Sequence, residues 1–153
     1  MKKYIKKILI LLPLIFISFT ANSTEKSYQL EVLTDRLDRP WSIGFLPDGE
    51  ILISELTGNL KIYNNQGILS DPIKGLPEVF VKSQGGLSDI VIHPNFIENK
   101  LIFLSFSINS KKGKTLQVIR ARLDNKTLSD IKVIFTAKAY RSTSAHFGAR
   151  LLL

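Results

Sequence analysis

The feature that most limits what this chain can become is an internal repeat. Ile43-Gly44-Phe45-Leu46-Pro47 realigns with Ile90-Val91-Ile92-His93-Pro94 at an offset of 47, and Ile51-Leu52-Ile53-Ser54 realigns with Ile102-Phe103-Leu104-Ser105 at an offset of 51. A self-similar period near fifty, built from short β-type runs, marks stacked antiparallel sheets of the kind that form the blades of a β-propeller. A blade buries its faces against two neighbours, so such a sequence implies a ring of blades.

The strands can be placed between the turn signals. Tyr28-Gln29-Leu30-Glu31-Val32-Leu33 alternates apolar and polar residues and predicts a half-buried strand. Ser42–Leu46 and Glu50–Ser54 flank a Pro47-Asp48-Gly49 turn, and Leu60–Asn64 lies between Thr57-Gly58-Asn59 and Asn65-Gln66-Gly67. Four short strands at roughly ten-residue intervals make one blade. In the second unit, strands are expected over Leu87–Ile92, Leu101–Ile108 and Thr115–Leu123. Ser110–Lys114 is the polar hairpin loop, and Ile131–Phe135 supplies the outer strand or a crossover. Tyr140–Ala145 lacks periodicity and reads as a loop; His146–Leu153 then opens a third unit inside whose first strand the sequence stops. The expected fold class is all-β: about two blades and the start of a third, with no helix after the N-terminal segment.

That N-terminal segment has its own logic. Lys2, Lys3, Lys6 and Lys7 precede an apolar run from Ile8 to Phe19, and Thr20-Ala21-Asn22-Ser23 is small and polar. A basic start, a short apolar middle and a small-residue end describe a secretory signal peptide over residues 1–23, leaving 24–153 as an incomplete propeller domain. The run is short for about 30 Å of hydrocarbon, so no stable membrane span is expected after cleavage; an uncleaved anchor is the alternative. The 153-residue chain has no cysteine, which excludes disulfides, thiolate metal sites and lipid attachment through cysteine. An exported protein without disulfides fits a periplasmic location. The formal net charge of +8 owes much to the four early lysines, and the remaining Lys and Arg are scattered as on a solvated surface, so nucleic acid is not an expected partner.

Two stretches place ligand-capable side chains beside small residues and an apolar run: Gln84-Gly85-Gly86-Leu87-Ser88-Asp89 and His146-Phe147-Gly148-Ala149-Arg150. Together with Arg39-Pro40-Trp41-Ser42-Ile43, Phe45-Leu46-Pro47-Asp48-Gly49 and His93-Pro94-Asn95-Phe96, they occur in the order found in the soluble glucose/sorbosone dehydrogenase family, which this sequence resembles over roughly residues 29–153. The resemblance implies a six-bladed β-propeller that uses pyrroloquinoline quinone and calcium to oxidise the anomeric carbon of an aldose to a lactone, passing electrons to an external acceptor. It also implies that the chain is an N-terminal portion, truncated and inactive alone, without the later residues that hold calcium.

By the same resemblance, His146 is the general base that takes the proton of the anomeric hydroxyl, and Gln84 is a hydrogen-bonding contact to the quinone. An imidazole exchanges protons near neutral pH, and a primary amide can both donate and accept. Read from the residues alone, His146 is as well a rim histidine and Gln84 a glutamine that steadies its own turn. Gly85 and Gly86 permit a tight turn or close approach to a flat ligand. Trp41 reads as a core or rim aromatic, Asp89 as a group bonding neighbouring backbone, and His93 as a structural turn residue. Arg150 reads as a structural residue ahead of its alternatives, a contact to an acidic group from a later blade or to a cofactor carboxylate. No residue is assigned to a metal.

No nucleotide-binding glycine turn, phosphate loop or serine-nucleophile motif is present in the sequence. The other reading is a non-catalytic propeller remnant or binding module, self-associating through unpaired strand edges.

Overall fold

The computed structural model describes residues 28–153. The expected signal peptide at 1–23 lies outside the described residues. The chain divides into two units, Met1–Glu31 and Val32–Leu153. Of the first, residues 28–31 are described, and they are exposed and carry no strand.

The second unit is built from two antiparallel sheets. Strands β1 (Pro40–Phe45), β2 (Ile51–Glu55) and β3 (Asn59–Tyr63) form the first in that order. Strands β4 (Leu87–Ile92), β5 (Leu101–Ser110), β6 (Gly113–Asp124) and β7 (Thr127–Thr136) form the second, again in chain order. These are two consecutive propeller blades, each a meander. The strands follow the repeat because period-two alternation puts one side of each strand into a shared core. Leu52, Leu60 and Ile62 of the first sheet meet Leu87, Ile90, Ile102, Leu104, Phe106 and Ile119 of the second, all buried. Each such side chain contributes about 1.5–3 kcal/mol by leaving water. On the opposite side of β1, Trp41, Ile43 and Phe45 are exposed.

Two details depart from expectation. Val32 and Leu33 continue the strandless course of residues 28–31, so the alternating Tyr28–Leu33 run does not supply a strand. The outer position of the first sheet is taken instead by 68–73: Asn64 N–H donates to the Ile68 carbonyl, Ser70 N–H to Ile62 and Ile73 N–H to Leu60, covering the edge of β3. Alternation fits a half-buried strand, but 68–73 follows β3 directly through the Asn65-Gln66-Gly67 turn, and local closure costs less chain entropy than a distant pairing. A single-turn helix, α1 (Phe96–Asn99), also joins β4 to β5. His93 serves that turn as expected: its Nδ1 accepts from the Asn95 N–H at 3.0 Å.

Both sheets are irregular at the same end. The β1–β2 register shifts between Pro40 and Ser42, and the β4–β5 register shifts between Leu87 and Ile90. Such bulges re-aim side chains and bend a strand. Here they turn Trp41 and Ser42 in one blade, and Ser88 and Asp89 in the next, toward a common opening.

Candidate active site

Serine hydroxyls sew the two irregular ends together. Ser54 Oγ donates to the Ser88 carbonyl at 2.6 Å, and Ser107 Oγ donates to the Phe80 carbonyl at 2.6 Å while accepting from Gly86 N–H at 2.8 Å. Gly86 is required by a close approach: a Cβ there would lie 2.1 Å from the Leu56 carbonyl oxygen. The neighbouring glycine is equally hemmed in, since a Cβ on Gly85 would meet Ser107 Oγ at 2.8 Å. Both glycines therefore let protein backbone meet protein, where the sequence had suggested room for a flat ligand.

Asp89 is almost fully buried, at 2% exposure. Its Oδ1 accepts from Ser42 Oγ at 2.7 Å and its Oδ2 from the Leu151 N–H at 2.7 Å, while Arg150 Nη1 stands 3.5 Å from Oδ1. Asp89 N–H donates to Ser105 Oγ, which in turn donates to the Ala149 carbonyl at 2.7 Å. The carboxylate thus ties the first blade, the second blade and the segment after His146 together. The sequence reading confined Asp89 to its own backbone neighbours; the bulge carries it further. Arg150, read from sequence as structural ahead of a later-blade or cofactor contact, stands beside this carboxylate, yet its side chain is 87% exposed and remains accessible.

These bonds hold the His146 segment across the mouth of the cleft. The His146 N–H donates to Gln84 Oε1 at 2.8 Å, the Gln84 N–H donates to the Ser144 carbonyl at 3.1 Å, and an Arg141 guanidinium nitrogen donates to the His146 carbonyl. His146 has φ +62°, in the left-handed region. A non-glycine residue there is uncommon and persists where its surroundings hold it. Because a backbone N–H can only donate, the Gln84 oxygen must face it, and the amide NH2 is left for the cleft. Gln84 thus turns both donors of its NH2 away from His146, while its oxygen is already engaged by one N–H.

Trp41, Leu56, Ser83, Gln84, Asp89 and His146 are among the residues enclosing a cleft of about 780 Å³, with Phe147 to Arg150 along one wall. That volume lies in the range of small-molecule sites, which pair apolar walls with a few convergent polar groups. The two residues singled out from sequence are brought together, and both are exposed to the opening. Sequence reasoning missed Ser42, Ser105 and Arg141. For Ser105 a signal existed: it matches Ser54 in the repeat, and each is a small polar residue following three apolar ones in its strand.

On the far side of the first blade, Glu55 is wholly buried. It accepts from Asp38 N–H at 2.8 Å, Lys61 Nζ at 2.8 Å and Asn59 Nδ2 at 3.0 Å. Burial pushes its carboxyl up, but the Lys61, Asp38 and Asn59 hydrogen bonds outweigh that and hold it below the ordinary glutamate value. This cluster fixes the approach to β1, and with it Trp41.

Known proteins resemble this chain in sequence and in fold. Residues 37–153 match the family model described as glucose/sorbosone dehydrogenase. The aldose sugar dehydrogenase YliI of Escherichia coli (strain K12) is 36% identical over 146 residues, which cover 93% of this chain and 39% of that protein. The crystal structure of the soluble aldose sugar dehydrogenase of Escherichia coli in its apo form superposes with a TM-score of 0.76 at 35% identity, covering 80% of this chain and 37% of the other. The PQQ-bound aldose sugar dehydrogenase of Streptomyces coelicolor shares the fold, with a TM-score of 0.63 at 20% identity over 71% of this chain and 33% of the other. The chain thus spans about two-fifths of the length of the curated relative.

Proposed function

The chain belongs to the glucose/sorbosone dehydrogenase family, and from that membership we propose that its cleft is the quinone-side part of an aldose dehydrogenase active site that oxidises the anomeric carbon to a lactone. The observation that carries this reading is the tie between His146 and Gln84, 62 residues apart, at the mouth of one cleft.

The residues present suit a flat, polyanionic quinone. Trp41 and Phe147 offer aromatic walls, the Gln84 NH2 offers a donor, and the exposed Arg150 guanidinium offers a charge for a carboxylate. Pyrroloquinoline quinone, when bound, supplies the two-electron acceptor that no protein side chain provides. His146 takes the proton of the anomeric hydroxyl on a ring nitrogen, and its fixed main chain limits where that nitrogen can go. Calcium enters this reading through the family resemblance alone; no group of three His, Cys, Asp or Glu side chains gathers among the described residues. The location proposed is the periplasm, supported by the basic and apolar N-terminal sequence. No helix among the described residues is long and apolar enough to cross a membrane.

The test is a quinone titration of the purified chain, followed through the emission of Trp41, the one tryptophan in the sequence. Saturable quenching that weakens at least about tenfold in Gln84→Ala supports the reading. Turnover of an aldose is expected from a full-length enzyme and not from these 153 residues alone, and it is lost in His146→Ala. Undiminished turnover in that variant would remove His146 from the mechanism, and absence of quinone binding would remove the cleft.

A further inference from the structure

Formal charge is segregated between the two ends of the second blade. At the end away from the cleft, the connections carry Glu98, Lys100, Asp124 and Lys126. At the cleft end, β5 and β6 run on past the β4 pairing, which stops at Leu87↔Phe106, and close in the Ser110–Gly113 hairpin. Four further residues per strand raise that hairpin about 13 Å above the start of β4. It carries Lys111, Lys112 and Lys114, and Lys82, Lys138 and Arg141 lie in the segments packed beside it. Glu78 lines a cavity with Ile108 and Asn109 on the flank of this hairpin, and no acidic residue occurs in 79–88, 106–118 or 136–150.

The cations are held in place. Lys112 Nζ stands 5.9 Å from the Tyr140 ring centroid and Lys114 Nζ 5.5 Å from that of Phe80. Lys114 also donates to the Ser142 carbonyl at 2.6 Å, and its backbone pairs with Arg141, the residue that holds the His146 carbonyl. The basic group is therefore continuous with the rim of the cleft.

We propose that this basic rim is the docking surface for an acidic electron-carrier protein. The inference rests on the dehydrogenase reading: oxidation of an aldose to a lactone releases two electrons and two protons, and the electrons must leave through the end of the fold where the cleft opens. Opposed charge steers a carrier to that end and raises its association rate. A nucleic acid fits the surface less well, because the two aromatic rings are already covered by lysines and are not offered for base stacking. A membrane fits it less well too, because the Ser110-Lys111-Lys112-Gly113 tip has no apolar residue to insert.

The experiment titrates a small acidic cytochrome into the 153-residue chain and follows Trp41, whose emission a docked haem quenches. Saturable quenching is expected, with affinity falling about tenfold or more when salt rises from about 20 to about 200 mM. A further loss of about tenfold is expected in Lys111→Glu/Lys112→Glu, whose exposed positions leave folding intact, and none in Lys100→Glu/Lys126→Glu at the far end. Unchanged affinity in the first double variant overturns the proposal. So does equal quenching by a basic cytochrome of the same size, or tighter binding of duplex DNA or phosphatidylglycerol vesicles than of the acidic cytochrome. A parallel quinone titration separates the two readings. Quinone binding without cytochrome binding sinks the docking surface alone; cytochrome binding without quinone binding sinks the dehydrogenase reading.

Discussion

The main-chain N–H of His146 is bonded to the side-chain oxygen of Gln84 at 2.8 Å, so the candidate base is positioned by the candidate cofactor contact. A change at Gln84 must then act on two things at once, and the choice of replacement separates them.

Gln84→Glu retains an oxygen for the His146 N–H but replaces the donor facing the cleft with negative charge. Gln84→Ala removes both. Quinone affinity is expected to fall at least about tenfold in each. Faster amide hydrogen exchange at His146 is expected in the alanine variant alone, measured by nuclear magnetic resonance. Equal exchange in the two variants would show that Gln84 does not hold the loop.

Asp89→Ala strands the Ser42 hydroxyl and the Leu151 N–H at once. A cost of about 1–3 kcal/mol for each buried group left unpaired is expected from urea unfolding, reduced where water enters. Ser42→Ala combined with Asp89→Ala should cost less than the sum of the two single changes, because both remove the same bond.

Glu55 makes stability depend on acidity. Its folded carboxyl titrates below the ordinary value of about 4.3, so the unfolded chain binds the proton more readily. The stabilisation is fully present above that ordinary value and is lost as pH falls through the lower folded one. Denaturation midpoints of the parent chain and Glu55→Gln should therefore differ most near neutral pH and converge as pH falls through the lowered folded value. A constant difference across that range would show that the Lys61 pairing contributes nothing.

Gly86→Ala and Gly148→Ala should behave differently. The first drives a methyl into the Leu56 carbonyl and must move the blades apart; the second meets no atom within 4 Å but sits at φ +68°. Losses of several kcal/mol and of about 1 kcal/mol are expected respectively, read from thermal unfolding. Equal losses would mean that backbone conformation, rather than close approach, governs both sites.

Much of this architecture was legible in the sequence because it repeats. Ile43–Pro47 and Ile90–Pro94 begin equivalent blades, and the Pro47-Asp48-Gly49 turn marks where the first meander reverses; the second reverses through α1, which no glycine announced. Tyr28–Leu33 misled because alternation shows only that a strand would be compatible; it names no partner, and 68–73 was nearer to β3. His146 and Gln84 could be chosen from their motifs. Their mutual bond could not, since it depends on a left-handed turn at His146 and on Arg141 from the preceding loop. Asp89 escaped for a similar reason: a register shift changes the direction of a side chain without changing any residue type.

The contact between Gly86 and the Leu56 carbonyl has a further consequence. Most of the contact between the two sheets runs through side chains, which can shift to accommodate one another; a second place of backbone contact is Gly75, where a Cβ would lie 2.5 Å from the Leu128 carbonyl oxygen. Here peptide rests on peptide, and nothing is left to trim. The tilt of one sheet on the next is gauged at these two points, and the one at Gly86 sets the span from Trp41 to Gln84.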